Sequence, residues 1–205
     1  MEVAELFSKG GYVMYLLLIS SIAVAAIGIE RFRFYSYAEN DGDKFLQLIA
    51  ERVDNQRSAE EILNVCRNEE GSIGAMLRVG MEALLGGKNV ELALNTFYDE
   101  EAMKLRARLN YLSMIVTLAP LLGLLGTISG MIESFNIFSI QAGQPLAITG
   151  GIGEALIATA TGLCVAIFAL IVHTYFVQRL DEILAKLEKA EALVLSIAYD
   201  AGKAQ

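Results

Sequence analysis

"GIGEALIATATGLCVAIFALIV" runs from Gly151 to Val172 and carries one formal charge, Glu154. A solvent-exposed helix of that length carries several charges, and a simple lipid anchor carries none. The neighbouring sequence makes the contrast general. Val13 to Ile29 passes 17 residues without a charge, Leu109 to Ile132 passes 24, and Ala155 to Val172 passes 18. Of 205 residues, 55% are apolar and 20% charged, against roughly a quarter charged in soluble domains. A hydrocarbon core of about 30 Å takes roughly 20 helical residues, so the runs predict three spans, at about 12–31, 110–134 and 153–177. Tyr12, Tyr15 and Phe32 extend the short first span into the interface, where aromatics are favoured. Three buried helices of a soluble assembly are the plain alternative, but runs this long would overfill a core of this size.

Basic residues set the orientation. "ERFRF" follows the first span, "KLRARLN" precedes the second and "QRLDEILAKLEK" follows the third, while Ile137 to Gly153 has no charge. Lys and Arg near span ends favour the cytoplasm irrespective of the net charge of −8. The amino terminus is expected outside and the carboxyl terminus in the cytoplasm. The expected organisation is an amino-terminal segment with the first span (1–32), a cytoplasmic helical region (33–109), the second span (110–134), an outward-facing hairpin (135–152), the third span (153–177) and a cytoplasmic carboxy-terminal helix (178–205). Glu2, Glu5 and Lys9 make a mixed start rather than the basic one of a cleavable leader.

Between the spans the sequence reads as helix. Ser58 opens a capping box with Glu61, and Gly71, Gly74, Gly86 and Gly87 mark the expected breaks. From Asn89 no Gly or Pro interrupts the run into the second span before Pro120, which predicts one helix of about 45 residues, close to 70 Å long. Leu180, Ile183, Leu184, Leu187, Ala190, Val194 and Ile197 fall at helical spacing, so the third span is expected to continue as an amphipathic helix that needs a partner surface.

Lipid offers helices no hydrophobic drive to associate, so small residues that permit close approach become informative. Ala119, Gly123, Gly126 and Gly130 occur in the second span, and Ala158, Gly162 and Ala166 in the third. Thr127 lies about 25 Å along its helix from Asn110, and Thr159 about 30 Å from Arg179 on the antiparallel third helix. Their depths match within a turn. Glu154, Thr161 and Cys164 add a loosely polar face on the third helix, with Thr159 beside it. Threonines in spans commonly bond only to a carbonyl one turn back, and Glu154 near the outer boundary could be an interfacial cap. An intramembrane carboxylate is nonetheless a functional suspect. Glu133, at the outer end of the second span, reads as an interfacial charge. No acid stands at mid-membrane, so a full proton path needs one from a partner.

Other chemistry finds no support. The glycines of "GGIGEAL" and "GLLGTISG" follow no strand and lack the Lys and hydroxyl of a phosphate loop. His173 is the sole histidine and reads as a packing residue. Cys66 and Cys164 read as unpaired, and no metal-ligand spacing, cofactor motif, catalytic set or basic patch for nucleic acid is present. An enzyme is not expected.

"APLLGLLGTISGMIESF" (119–135) followed by "GIGEALIATATGLCVAI" (151–167) resembles the MotA/TolQ/ExbB proton-channel family, closest to its ExbB/TolQ branch. Span number, overall length and the cytoplasmic segment between the first two spans agree. The resemblance implies an all-α integral membrane protein of three transmembrane helices with long cytoplasmic extensions, assembled as a ring understood to be a homopentamer. The ring would surround single-span partners of the ExbD/TolR type. A transmembrane Asp of the partner would take and release protons, and the complex would pass proton motive force to a TonB- or TolA-like effector in the bacterial inner membrane. It implies that Thr127, Glu154 and Thr159 line the ion path, and that Pro120 marks the inner part of the second span; Thr161, on the polar face of the third helix, is expected in the ion path from the residues themselves. Phe168 stands where the family often has Pro, which predicts a straighter third helix. A sodium-driven stator of the same architecture and a non-conducting membrane scaffold remain as alternatives.

Overall fold

The structure is a computed structural model describing residues 11–39, 42–54, 58–140 and 145–202. Seven helices and no strand occur among the described residues: α1 Val13–Glu39, α2 Gly42–Asp54, α3 Ala59–Cys66, α4 Ser72–Leu85, α5 Val90–Arg106, α6 Leu109–Ile140 and α7 Pro145–Asp200. Three stretches are long and apolar enough to cross a membrane, with mean hydropathies of 2.1, 2.0 and 2.5. Only 22%, 22% and 33% of their apolar windows are buried within the chain. The remaining apolar surface needs lipid or other chains to cover it.

The chain divides into two compact units, Met1–Ile29 with Arg108–Tyr175, and Glu30–Ala107 with Phe176–Gln205. In the first, α6 and α7 meet almost backbone to backbone. A Cβ on Gly162 would stand 2.6 Å from the Ala119 carbonyl oxygen and 3.0 Å from the Gly123 Cα. One on Gly126 would stand 2.6 Å from the Ala158 Cβ and 3.6 Å from Val13, so the start of α1 packs at the same level. One on Gly130 would stand 3.1 Å from Ala155. Ala119, Ala158 and Ala166 are buried with them. Pro120 sits inside α6, and α7 passes Phe168 without interruption.

The second unit has a core of large side chains: Ile49, Ile62, Met76, Leu77, Met81, Leu94, Leu105, Ile183 and Leu187 are all fully buried. Here the amphipathic stripe of α7 finds its partner surface within the chain. Val194 faces Gly80 and Leu94 crowds the same spot, Lys186 pairs with Asp43 at 2.8 Å, and Phe176 meets Tyr35 edge-on with centroids 5.4 Å apart. At the end of the stripe Ala198 is buried and Ile197 only half so, because a helix of 3.6 residues per turn carries the face forward. Ser58 caps α3, accepting from the Glu61 amide at 3.3 Å, and Asn89 caps α5, accepting from Leu92 at 2.9 Å.

Several sequence expectations are corrected. The single helix from Asn89 through the second span is two helices, broken at Ala107–Arg108, where Arg108 takes a φ of 68°. The break has tertiary support in the second unit. The Lys104 carbonyl accepts from the Arg31 guanidinium at 3.0 Å and the Leu105 carbonyl from the Tyr35 hydroxyl at 2.8 Å. Two of the carbonyls that a helix end leaves open are thereby satisfied by α1, and a cation at a helix carboxyl end is electrostatically favoured. Burial pushes the Tyr35 phenol up to about 12, which keeps it the neutral donor this bond requires. Gly74 is no break; it lies inside α4, with Glu69 against it. Gly71 and Gly87 do mark breaks, at φ 97° and 65°, where a side chain would be strained. Helix α6 continues to Ile140 and α7 begins at Pro145, which leaves little of 135–152 outside helix, although 141–144 lie outside the described residues.

Candidate functional site

The Thr159 hydroxyl leaves its own helix. Its Oγ1 donates to the Gly123 carbonyl of α6 at 2.9 Å, across the contact that Gly123 and Gly162 make possible. Thr127 stands one turn beyond Gly123, so the two threonines lie within a turn of each other in depth. Thr127 donates to Leu124 at 2.7 Å and Thr161 to Ile157 at 2.8 Å, each within its own helix. These three hydroxyls share one consequence. A hydroxyl has one proton to give and two lone pairs, and with the proton engaged only acceptor capacity is left. Such a surface suits hydronium, a protonated acid or a metal cation, and offers nothing to an anion.

Glu154 occupies a different place. Five residues of α-helix turn about 140° from Glu154 to Thr159, whereas Thr161 returns close to the face of Glu154. The Glu154 side chain is exposed and lines a cavity of about 60 Å³ together with Tyr12, Val13, Ser129, Glu133 and Ala155, over the backbones of Gly126 and Gly130. The first unit thus has two polar flanks beside its α6–α7 contact: Thr127 with Thr159, and Glu154 with Glu133. The packing residues Ala119, Gly123, Gly126, Gly130, Ala158, Gly162 and Ala166 belong to the first unit. Cys164 is exposed and Cys66 buried, both as free thiols. Among the described residues no group of His, Cys, Asp and Glu could hold a metal ion.

The sequence marks Glu133 as an interfacial charge and does not place it beside the cavity that Glu154 lines. Its signal was modest: Ser129 and Glu133 are four apart and so share a helix face, but nothing in the sequence says which residue of α7 that face meets.

Residues 68–189 match the MotA/TolQ/ExbB proton channel family. The chain belongs to that family. It is 34% identical over 204 residues to biopolymer transport protein ExbB-like 1 of Synechocystis sp., covering 95% of this chain and 80% of the relative. It is 27% identical to the Tol-Pal system protein TolQ of Pseudomonas aeruginosa, over 82% of this chain and 72% of that one. With the biopolymer transport protein ExbB of Xanthomonas campestris pv. campestris it shares 34% identity over 58% of this chain and 46% of the other. These relatives place the MotA/TolQ/ExbB chain in the ExbB/TolQ branch, as its paired motifs in the second and third spans led one to expect. It is a membrane protein with transmembrane helices, a proton-channel subunit of the energy-transducing kind, in a family of transport components rather than enzymes.

Proposed function

We propose that this chain is the ring subunit of a proton-driven motor complex in the bacterial inner membrane. The complex couples proton motive force to a single-span partner of the ExbD/TolR type and through it to a TonB- or TolA-like effector. The amino terminus faces outward and the carboxyl terminus and second unit face the cytoplasm. Glu154, Thr127, Thr159 and Thr161 line the ion path, where they accept hydrogen bonds from water, from hydronium and from the protonated Asp of the partner. The observation that carries this reading is the acceptor-only character of the three threonines beside an exposed carboxylate on a small-residue helix pair. The geometry around α7 supports a ring. Thr159 and Glu154 stand on different flanks of that helix, so one chain does not enclose a path, while a ring of copies, five by family resemblance, brings the flanks of neighbours around a common axis. Uncovered apolar side chains such as Leu156 and Ile171, each 63% exposed, leave surface for that assembly and for lipid.

The test is proton uptake by proteoliposomes holding the complex, purified from its own membranes through a tag on this chain. Wild type carries a flux under a membrane potential and Glu154→Gln loses it by about a hundredfold. Unchanged flux in Glu154→Gln, with assembly intact, overturns the reading. Replacing external protons by sodium in the same assay identifies a sodium-driven relative of the same design. The scaffold alternative draws on one observation: Thr127 and Thr161 bond to carbonyls of their own helix, as structural threonines do. A scaffold keeps its assembly and its cellular function alike after Glu154→Gln.

A further inference from the structure

We propose that Glu133 is a second proton-carrying carboxylate of the path, exchanging protons with Glu154 through water in the cavity that both line. The inference rests on the proton-channel reading above and adds to it a residue and a direction of travel. Glu133 comes from α6 and Glu154 from α7, and both border the same space of about 60 Å³. That is room for a few waters, and a water needs two to four polar partners to be held. The walls supply them: Glu133, Glu154, Tyr12 and Ser129. The Ser129 hydroxyl already donates to the Gly126 carbonyl at 3.2 Å, so it too offers lone pairs. Among the described residues neither carboxylate is paired with a cation. Carboxylates at a span that face a water-filled cavity are the groups from which proton relays are built. Two of them, on separate helices around one small polar cavity, are placed as a relay rather than a brace.

The step balances without a further reactant. Bulk water or hydronium gives a proton to the Glu133 carboxylate. Glu133 then returns it to a cavity water as that water gives one of its own to Glu154, which leaves Glu133 anionic and Glu154 neutral. Glu154 is then the donor to the partner's acid, and the cycle repeats from outside.

The experiment uses the same tagged complex in proteoliposomes, with assembly monitored by native mass spectrometry. Glu133→Gln is expected to lower proton flux by about tenfold while the complex stays whole, and Glu133→Asp to restore most of it, since proton relay tolerates a change of acid more readily than its loss. The decisive variant is Ser129→Glu combined with Glu133→Gln. It returns a carboxylate to the same cavity from one turn back on α6, and recovery of flux identifies the acid itself, rather than the shape of Glu133, as what matters. Wild-type flux in Glu133→Gln, with Glu154→Gln inactive, overturns this inference and leaves the channel reading standing. Wild-type flux in both single variants removes the channel reading and this inference with it. If Glu133→Gln fails to assemble, the Ser129→Glu, Glu133→Gln pair decides: an assembled complex without flux overturns the relay.

Discussion

A Cβ added at Gly162 or at Gly80 would come to 2.6 Å from its nearest neighbour, yet the two neighbours differ in kind. At Gly162, in the first unit, it is the backbone carbonyl oxygen of Ala119, with the Gly123 backbone next. At Gly80, in the second, it is a methyl group of Val194, with the end of Leu94 next. The difference follows from what surrounds each unit. Lipid is as apolar as leucine, so helices in it gain nothing by hiding large side chains and hold together by close backbone approach. Water rewards the removal of large apolar side chains. Of the twelve largest fully buried side chains only Val13, Leu17 and Leu112 belong to the first unit. One chain therefore packs by two rules.

That contrast can be broken by substitution. Gly162→Ala is expected to have the largest effect, more than about 3 kcal/mol, because a backbone atom cannot turn aside; thermal unfolding of the detergent-solubilised chain reads it as loss of the α6–α7 pair. Next, Leu187→Ala in the second unit removes a fully buried side chain and should cost about 3 kcal/mol with the membrane unit intact. Hydrogen exchange localises that loss to the carboxy-terminal part of α7 and its neighbours.

Tyr35→Phe should cost about 1–2 kcal/mol by leaving the Leu105 carbonyl without its donor. It also has a pH signature. The phenol ionises near 10 in the unfolded chain and near 12 when folded, so the folded state holds the proton more tightly. Its stabilisation is complete below pH 10 and is lost as pH rises towards 12. A denaturation series over that range should show the slope in wild type and a flatter one in Tyr35→Phe. Smallest is Gly80→Ala, at about 1 kcal/mol, since Val194 and Leu94 end in methyl groups that can shift. Equal losses at Gly80 and Gly162 would show that the two units do not differ in this way.

The spans, the cap at Ser58, the breaks at Gly71 and Gly87, and the small residues of the second and third spans were legible in the sequence, because each depends on residues close in the chain or on a regular period. The break at Ala107–Arg108 was not. No Gly or Pro marks it, and its support is Arg31 and Tyr35, some seventy residues earlier. In the sequence Arg31 stands only as part of the basic cluster that orients the first span. Gly74 misled because a glycine that admits a close neighbour looks the same in sequence as one that ends a helix.

The length and charge of each run decide whether it can leave water, so the solvent of each segment and the all-helical class were readable along the chain, and the paired motifs at 119–135 and 151–167 carried the family. Packing settles that Thr159 gives its proton to Gly123, and that Glu154 shares its cavity with Glu133. The rotation of two helices about their axes selects which side chains meet, and that rotation is set by where Gly123, Gly126 and Gly162 let the backbones touch.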